Sequence, residues 1–152
     1  MTDNPSISVI IPCYNEEKYI ARCLQSVCNQ NFKNYEVIVI DNNCTDKTAK
    51  IAAGFKATII KEKIQGMTPA RERGFREAKS EIIARTDADV IASPNWLSSI
   101  YRYFTLYPQM VALTGGFSFP EVSRAEEKLL TVFVNAFQTY EAGNGTLSVK
   151  RT

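Results

Sequence analysis

Short apolar runs alternate along this chain with stretches in which apolar residues recur at helical spacing. Residues 7–11 form the first run, bounded by Pro5 and Pro12, and residues 36–40 (Glu-Val-Ile-Val-Ile) form the second, ending at Asp41. Both have the length and β-branched content of buried strands. Between them Ile20, Leu24 and Val27 fall on one helical face, and Asn15 precedes Glu16 and Glu17, which predicts a helix capped at Asn15 with carboxylates in its first turn. The unit then repeats. Thr45 or Asp46 is placed to cap a helix ending at Phe55, residues 57–60 read as a third strand, and Thr68-Pro69 predicts a cap with proline opening a helix to about Lys79. Residues 82–86 predict a fourth strand, Ser93-Pro94 a cap for a helix to Tyr107, and residues 110–114 a fifth strand. Such alternation predicts an α/β fold: a mainly parallel central sheet with helices on both faces, built from right-handed crossovers.

After Gly115-Gly116 the pattern loosens. A polar turn near Pro120 precedes an amphipathic helix expected over residues 124–140, with Leu129, Leu130, Phe133 and Phe137 on its apolar face, and residues 146–149 suit one more strand. With 152 residues, 45% of them hydrophobic and 22% charged, the chain is expected to form one domain over residues 1–152. Its formal charge of +2 comes from scattered basic residues, which argues against a nucleic-acid partner. The longest apolar-looking stretch, residues 129–137, is about half of the ~20 residues a membrane span needs, so no transmembrane segment is expected.

Four cysteines, Cys13, Cys23, Cys28 and Cys44, occur without a C-x-x-C pair, and the chain has no histidine. This argues against a structural zinc site, and the absence of histidine excludes Cys-His catalysis in its usual form. The start of the chain lacks the basic and apolar regions of a secretory signal, so the expected location is the cytoplasm, with membrane association of a full-length protein left open. No G-x-G-x-x-G or Walker-type loop follows the first strand, which argues against dinucleotide-dependent oxidoreduction and against kinase or ATPase chemistry.

In open α/β sheets ligands bind beyond the carboxyl ends of the strands. Strand one runs into Pro12-Cys13-Tyr14-Asn15-Glu16, strand two into Asp41-Asn42-Asn43-Cys44-Thr45-Asp46, and strand four into Asp87-Ala88-Asp89. An isolated D-x-D is more often a solvated turn than a site. At a strand exit, however, two carboxylates can share a hard divalent cation with phosphate oxygens. Tyr14 is either a core aromatic or a flat face for a base. Arg71, at the start of a helix, is either a solvated salt-bridging residue or a partner for an anion.

Taken in order, the residues Ser8-Val9-Ile10-Ile11-Pro12-Cys13-Tyr14-Asn15-Glu16-Glu17, Val37-Ile38-Val39-Ile40-Asp41 with Thr45-Asp46-Lys47-Thr48, Gly66 with Ala70-Arg71, and Thr86-Asp87-Ala88-Asp89 resemble the first half of family-2 glycosyltransferases of the GT-A fold. The likeness covers residues 6–111 and is specific as a combination, although each element alone is weak. It implies a GT-A, Rossmann-like architecture whose C-terminal part is incomplete, and transfer of a sugar from a nucleoside-diphosphate sugar to an acceptor hydroxyl with inversion. By the same resemblance Pro12 and Tyr14 line the base pocket, Asp41 hydrogen-bonds the base, Glu16 lies near the ribose, and Arg71 contacts the nucleotide side of the donor. Asp87 lies by the ribose or donor sugar, and Asp89 binds Mn2+ or Mg2+ against the diphosphate. A UDP-sugar is the first expectation for the donor and a GDP-sugar the second; the acceptor is unassigned.

Two departures stand out: Asn42-Asn43 occupy the place of the usual acidic residue and glycine, and Glu72 stands where Asn is common. The family's later Glu-Asp motif, which supplies the general base, does not occur before Thr152. The base is therefore expected beyond Thr152 and the chain is expected to be truncated, with little or no activity alone. Glu121, in a late loop, is a poor substitute. The alternatives are a non-catalytic nucleotide-sugar-binding module and a nucleotidyltransferase, the latter needing a glycine- and basic-rich loop that residues 13–17 do not provide.

Overall fold

A computed structural model describes residues 5–114 and the strand 147–150. Four strands, β1 (Ile7–Cys13), β2 (Tyr35–Asp41), β3 (Thr58–Lys61) and β4 (Ile82–Arg85), pair in parallel in the order β3-β2-β1-β4. β5 (Ala112–Thr114) and β6 (Leu147–Lys150) extend the sheet to β3-β2-β1-β4-β6-β5. β6 is antiparallel to both β4 and β5, so β5 runs in the direction of the parallel strands but is separated from them by a returning strand. The mainly parallel sheet is thus as expected, and β6 corresponds to the strand anticipated at 146–149. The helix expected at 124–140, and Glu121, lie outside the described residues. No helix among the described residues is long and apolar enough to cross a membrane.

Burial on both faces explains why the runs are mostly apolar. Ile7, Val9, Ile11 and Cys13 of β1, Val37 and Val39 of β2, and Ile82 and Ala84 of β4 enter one core cluster, while Ile10, Ile38, Ile40 and Ile83, one residue out of step, enter a second. A sheet covered on both faces leaves no side on which a polar residue can alternate. The first face is covered by α1 (Ile20–Cys28), α2 (Thr48–Ala52) and α4 (Trp96–Leu106), through Ile20, Leu24, Val27, Ala52, Leu97, Ile100 and Phe104. The second is covered by α3 (Met67–Glu77), through Ala70 and Phe75. Buried Ser8 is a polar exception on β1, and its hydroxyl is satisfied. It donates to Glu36 Oε1 at 2.6 Å and accepts the N–H groups of Lys79 and Ser80 at 3.1 and 3.0 Å, tying β1, β2 and the entry to β4 together.

Helix starts depart from expectation, and at Asn15 the reason is a distant partner. α1 begins at Ile20 after Tyr19, not after Asn15. Asn15 has φ 56°, and its Oδ1 accepts the N–H of Thr45 at 2.8 Å. α2 begins only at Thr48, with Lys47 at the cap position, although Asp46 Oδ1 does accept the Thr48 N–H at 2.9 Å. α3 opens at Met67 with Gly66 as its cap, so Thr68 and Pro69 fall inside the first turn, where a missing N–H costs no helical bond. α4 begins at Trp96 with Asn95 rather than Ser93 at the cap position.

Gly74 brings α3 close to β1. A methyl group there would lie 3.1 Å from Cδ1, 3.2 Å from Cβ and 3.3 Å from Cγ2 of Ile10, a side chain with no exposed surface. Helix propensity alone favours alanine over glycine by about 1 kcal/mol. Because Ile10 is enclosed and cannot yield, Gly74→Ala should instead destabilise the fold by about 1–3 kcal/mol in denaturant titration; an increase in stability would show that the α3–β1 contact is looser than described.

Candidate active site

β1 leads through α1 to β2 on one side, whereas β4 pairs on its other side, which makes the gap beyond the carboxyl ends of β1 and β4 the topological switch point of the sheet. The loops leaving β1 and β2 are laced to each other there. Besides the Asn15–Thr45 bond, the Glu16 N–H donates to Thr48 Oγ1 at 2.7 Å, the Glu17 N–H to Asp46 Oδ2 at 3.1 Å, and the Lys47 N–H back to Glu17 Oε2 at 3.1 Å. Beyond β4 the chain turns sharply, with the Val90 N–H donating to Asp87 O at 3.2 Å. That turn supplies the change of direction the D-x-D needs at a strand exit.

A cavity of about 450 Å3 opens at this point. The β1 exit lines it with Pro12, Cys13, Tyr14 and Glu16, and the β4 exit with Asp87, Ala88 and Asp89; Asn42 adds the β2 exit, and Gly66, Met67, Ala70 and Arg71 the start of α3. Six of the seven residues singled out from sequence therefore meet around one space: Pro12, Tyr14, Glu16, Arg71, Asp87 and Asp89. Asp41 does not line it. It is 5% exposed and its Oδ1 accepts the N–H of Cys44 at 2.9 Å, inside its own loop. Its neighbour Asn42 reaches the cavity instead, as do Gln65 and Met67, which sequence reasoning did not select. The pair of asparagines after β2 was the available signal for Asn42; nothing in the local pattern marked Gln65 or Met67. A larger cavity, about 630 Å3, lies by the amino ends of β2 and β3 between Cys28, Lys33, Tyr35 and Phe55. It receives no loop from β1 or β4, so the smaller cavity is the one placed where open sheets bind ligands.

The charges around the smaller cavity are unbalanced. Burial raises the pKa of Glu16, and the carboxylates of Asp89, Asp46 and Asp87 raise it further. Arg85, at the end of β4 and outside the cavity lining, is buried, and its pKa is lowered first by that burial and then by Arg71, against an opposing pull from Asp87. Crowding of like charge in a cleft is relieved by bound ions: a cation among the carboxylates and an anion beside the guanidinium groups. The acidic donors are all oxygen, which suits Mg2+ or Mn2+. Among the described residues no group of three or more His, Cys, Asp or Glu is arranged to hold a metal ion. A cation held here would need further oxygen ligands from a bound molecule, as Mg2+ commonly takes from phosphates. Cys13, by contrast, offers no nucleophile, since burial, followed by Cys44, Asp41 and Glu16, pushes its thiol far up.

Residues 8–147 match the model for glycosyl transferase family 2. The chain belongs to this family. Among curated relatives of this family 2 chain, glycosyltransferase AglE of Haloferax volcanii is 34% identical over 135 residues, covering 82% of the chain and 44% of AglE. Glycosyltransferase GlyA of Streptococcus pneumoniae is 27% identical over 126 residues, covering 80% of the chain but 18% of GlyA. The chain thus spans less than half the length of either. Among solved structures, the mannosyltransferase PcManGT of Pyrobaculum calidifontis in complex with GDP-Man and Mn2+ has a TM-score of 0.73 at 24% identity, covering 99% of the chain and 46% of PcManGT. Glucosyl-3-phosphoglycerate synthase of Mycobacterium tuberculosis, in complex with Mn2+, UDP and glucosyl-3-phosphoglycerate, has a TM-score of 0.73 at 18% identity, covering 96% of the chain and 57% of that enzyme. At these identities the likeness establishes the GT-A fold, and family membership sets aside the nucleotidyltransferase alternative.

The crowding at Glu16 has a measurable sign. A carboxyl whose folded pKa is raised contributes stability below its unfolded pKa, and that contribution is lost as pH rises through the raised value. Glu16→Gln should therefore raise the thermal midpoint at about pH 7 and leave it unchanged at about pH 3.5, where the carboxyl is protonated in both states. A midpoint that moves equally at both pH values would mean that neither burial nor the acidic neighbours raise the pKa of Glu16.

Proposed function

We propose that this chain forms the donor site of an inverting glycosyltransferase, holding a nucleoside-diphosphate sugar together with a divalent cation for attack by an acceptor hydroxyl. The observation that carries the reading is the single cavity at the switch point, where an aromatic face, a guanidinium and a pair of carboxylates on a tight turn converge. Tyr14, 50% exposed at the β1 exit, presents a ring on which a base can stack against Pro12. Glu16 can accept hydrogen bonds from ribose hydroxyls. Arg71 and the first turn of α3 together provide positive potential for phosphate oxygens, since early helical N–H groups lack intrahelical partners. Asp87 faces the ribose or sugar portion, and Asp89, the more exposed of the two, holds the cation with the diphosphate.

When bound, the cation neutralises charge on the departing nucleoside diphosphate. The chain's own contribution is orientation: Tyr14 and Pro12 fix the base, Arg71 the phosphate end, and the anomeric carbon is left facing the open side of the cavity. Displacement from that side inverts the configuration, with a base removing the acceptor proton; we assign that base to none of the described residues. Support for a nucleotide ligand comes from structural neighbours of the same fold, PcManGT with GDP-Man and Mn2+ and Staphylococcus aureus TarS with UDP-GlcNAc. A UDP-sugar is the first choice of donor and a GDP-sugar the second, with Mn2+ and Mg2+ both suited to the oxygen donors.

Calorimetric titration of UDP and GDP into the chain, with and without Mn2+, tests this directly. One of the two should bind more tightly with Mn2+, and Asp89→Ala should remove about tenfold or more of that gain, the cost of losing one charged ligand contact, while metal-free binding is preserved. Absence of binding by a chain that is folded by circular dichroism, or a metal dependence that Asp89→Ala leaves intact, would overturn the assignment.

A further inference from the structure

We infer that Asn42 is a positioning residue that sets the phosphate end of the donor site without itself contacting the nucleotide through its amide; the inference rests on the donor reading above. Asn42 is 3% exposed at the end of β2, and its side chain joins three backbone groups of the segment that precedes α3. Nδ2 donates to Glu62 O at 3.1 Å and to Ile64 O at 2.7 Å, while Oδ1 accepts the N–H of Gly66 at 2.8 Å. Its own backbone N–H donates to Cys13 O at 3.1 Å, at the β1 exit. Residue 42 thus joins β1, through its backbone N–H, to residues 62–66, through its side-chain amide.

What that brace controls follows from the next residues along the chain. Gly66 is the cap of α3 and sits at φ 138°, a backbone state that side-chain-bearing residues rarely adopt. Glycine reaches this state freely but does not prefer it, so the bond to Asn42 selects it at the helix start. Met67, Ala70 and Arg71, which follow, line the cavity. The direction of the first helical turn and the location of the Arg71 guanidinium thereby depend on residue 42. The chemistry of the side chain is also specified. An aspartate could accept from Gly66, but it cannot donate to two carbonyls and would set a negative charge against both oxygens. Because both Nδ2 hydrogens are committed, Asn42 has no donor left for a base, so its effect is expressed at the phosphates.

The test compares a nucleoside with its diphosphate. Affinities for uridine and UDP, with guanosine and GDP alongside, would be measured by nuclear magnetic resonance titration in Mn2+ for the wild-type chain, Asn42→Asp, Arg71→Ala and the double variant. Asn42→Asp should weaken the preferred diphosphate about tenfold or more and leave the matching nucleoside within about twofold, and its effect should largely vanish once Arg71 is alanine. A purely structural role would weaken both ligands alike, or add in full to Arg71→Ala, and either result overturns the inference. Should Asn42→Asp fail to fold, Gly66→Ala strains the same brace with Asn42 intact, and the same selective loss is expected; equal loss of both ligands, or none, counts against it. A folded wild-type chain that binds neither diphosphate overturns the donor reading and this role with it, whereas wild-type binding with an unaltered selectivity in the variants overturns the role of Asn42 alone.

Discussion

Residues 9–11 of β1, together with Ile7, have no exposed surface, and both faces of the strand are covered by helices. A polar group along this stretch has to be satisfied inside the protein, as Ser8 is by Glu36, Lys79 and Ser80, or excluded. Chemistry is thereby confined to where the strands end. β1 pairs with β2 on one side and β4 on the other, so its carboxyl end is flanked by both exits, and the loops carrying Tyr14, Asn42 and Asp87 come out side by side. The amino ends are held by the Ser8 network. The carboxyl ends have backbone groups to satisfy but no further strand to satisfy them, and their loops therefore bond to one another.

That mutual bonding gives the rim its rigidity. Asn15, Glu16 and Glu17 each exchange a hydrogen bond with the segment from Thr45 to Thr48, and Asn42 joins the same rim to residues 62–66. Each bond contributes only about 1 kcal/mol net. Their collective effect is to define the relative positions of elements far apart in sequence. Three loop exits and one helix start are then fixed relative to a buried sheet, which is the rigidity a site needs to orient a ligand before chemistry.

The parallel strands were legible because a strand buried on both faces reads as a mostly apolar run, and 7–11, 36–40 and 82–86 do so with only Ser8, Glu36, Arg85 and Thr86 as polar members. Rim residues were legible by the same logic, since they are the first polar groups after each run. Helix starts were not. Asn15 has the right chemistry and location for a cap, but its oxygen is engaged by Thr45, a partner 30 residues away that local pattern cannot reveal. Asp41 illustrates the same limit: its place at the end of β2 was evident, whereas its bond to the Cys44 N–H depends on how residues 42–44 fold back. The antiparallel insertion of β6 between β4 and β5 was likewise hidden, because its pairing joins segments more than thirty residues apart in sequence.

The rim's electrostatics narrow the kind of ligand that suits it. Burial, and then the carboxylates of Asp89, Asp46 and Asp87, raise the pKa of Glu16, while burial, and then Arg71, lower that of Arg85. Asp87 belongs to both groups, repelling Glu16 and attracting Arg85, and so marks the boundary between a negative and a positive region. A neutral ligand would relieve neither region, and an anion alone would meet Arg71 at the cavity while adding to the carboxylate crowding around Glu16. An anion that arrives with a divalent cation relieves both. A diphosphate with a shared cation has that distribution of charge, which is why the charge pattern, and not the carboxylates by themselves, supports the donor reading.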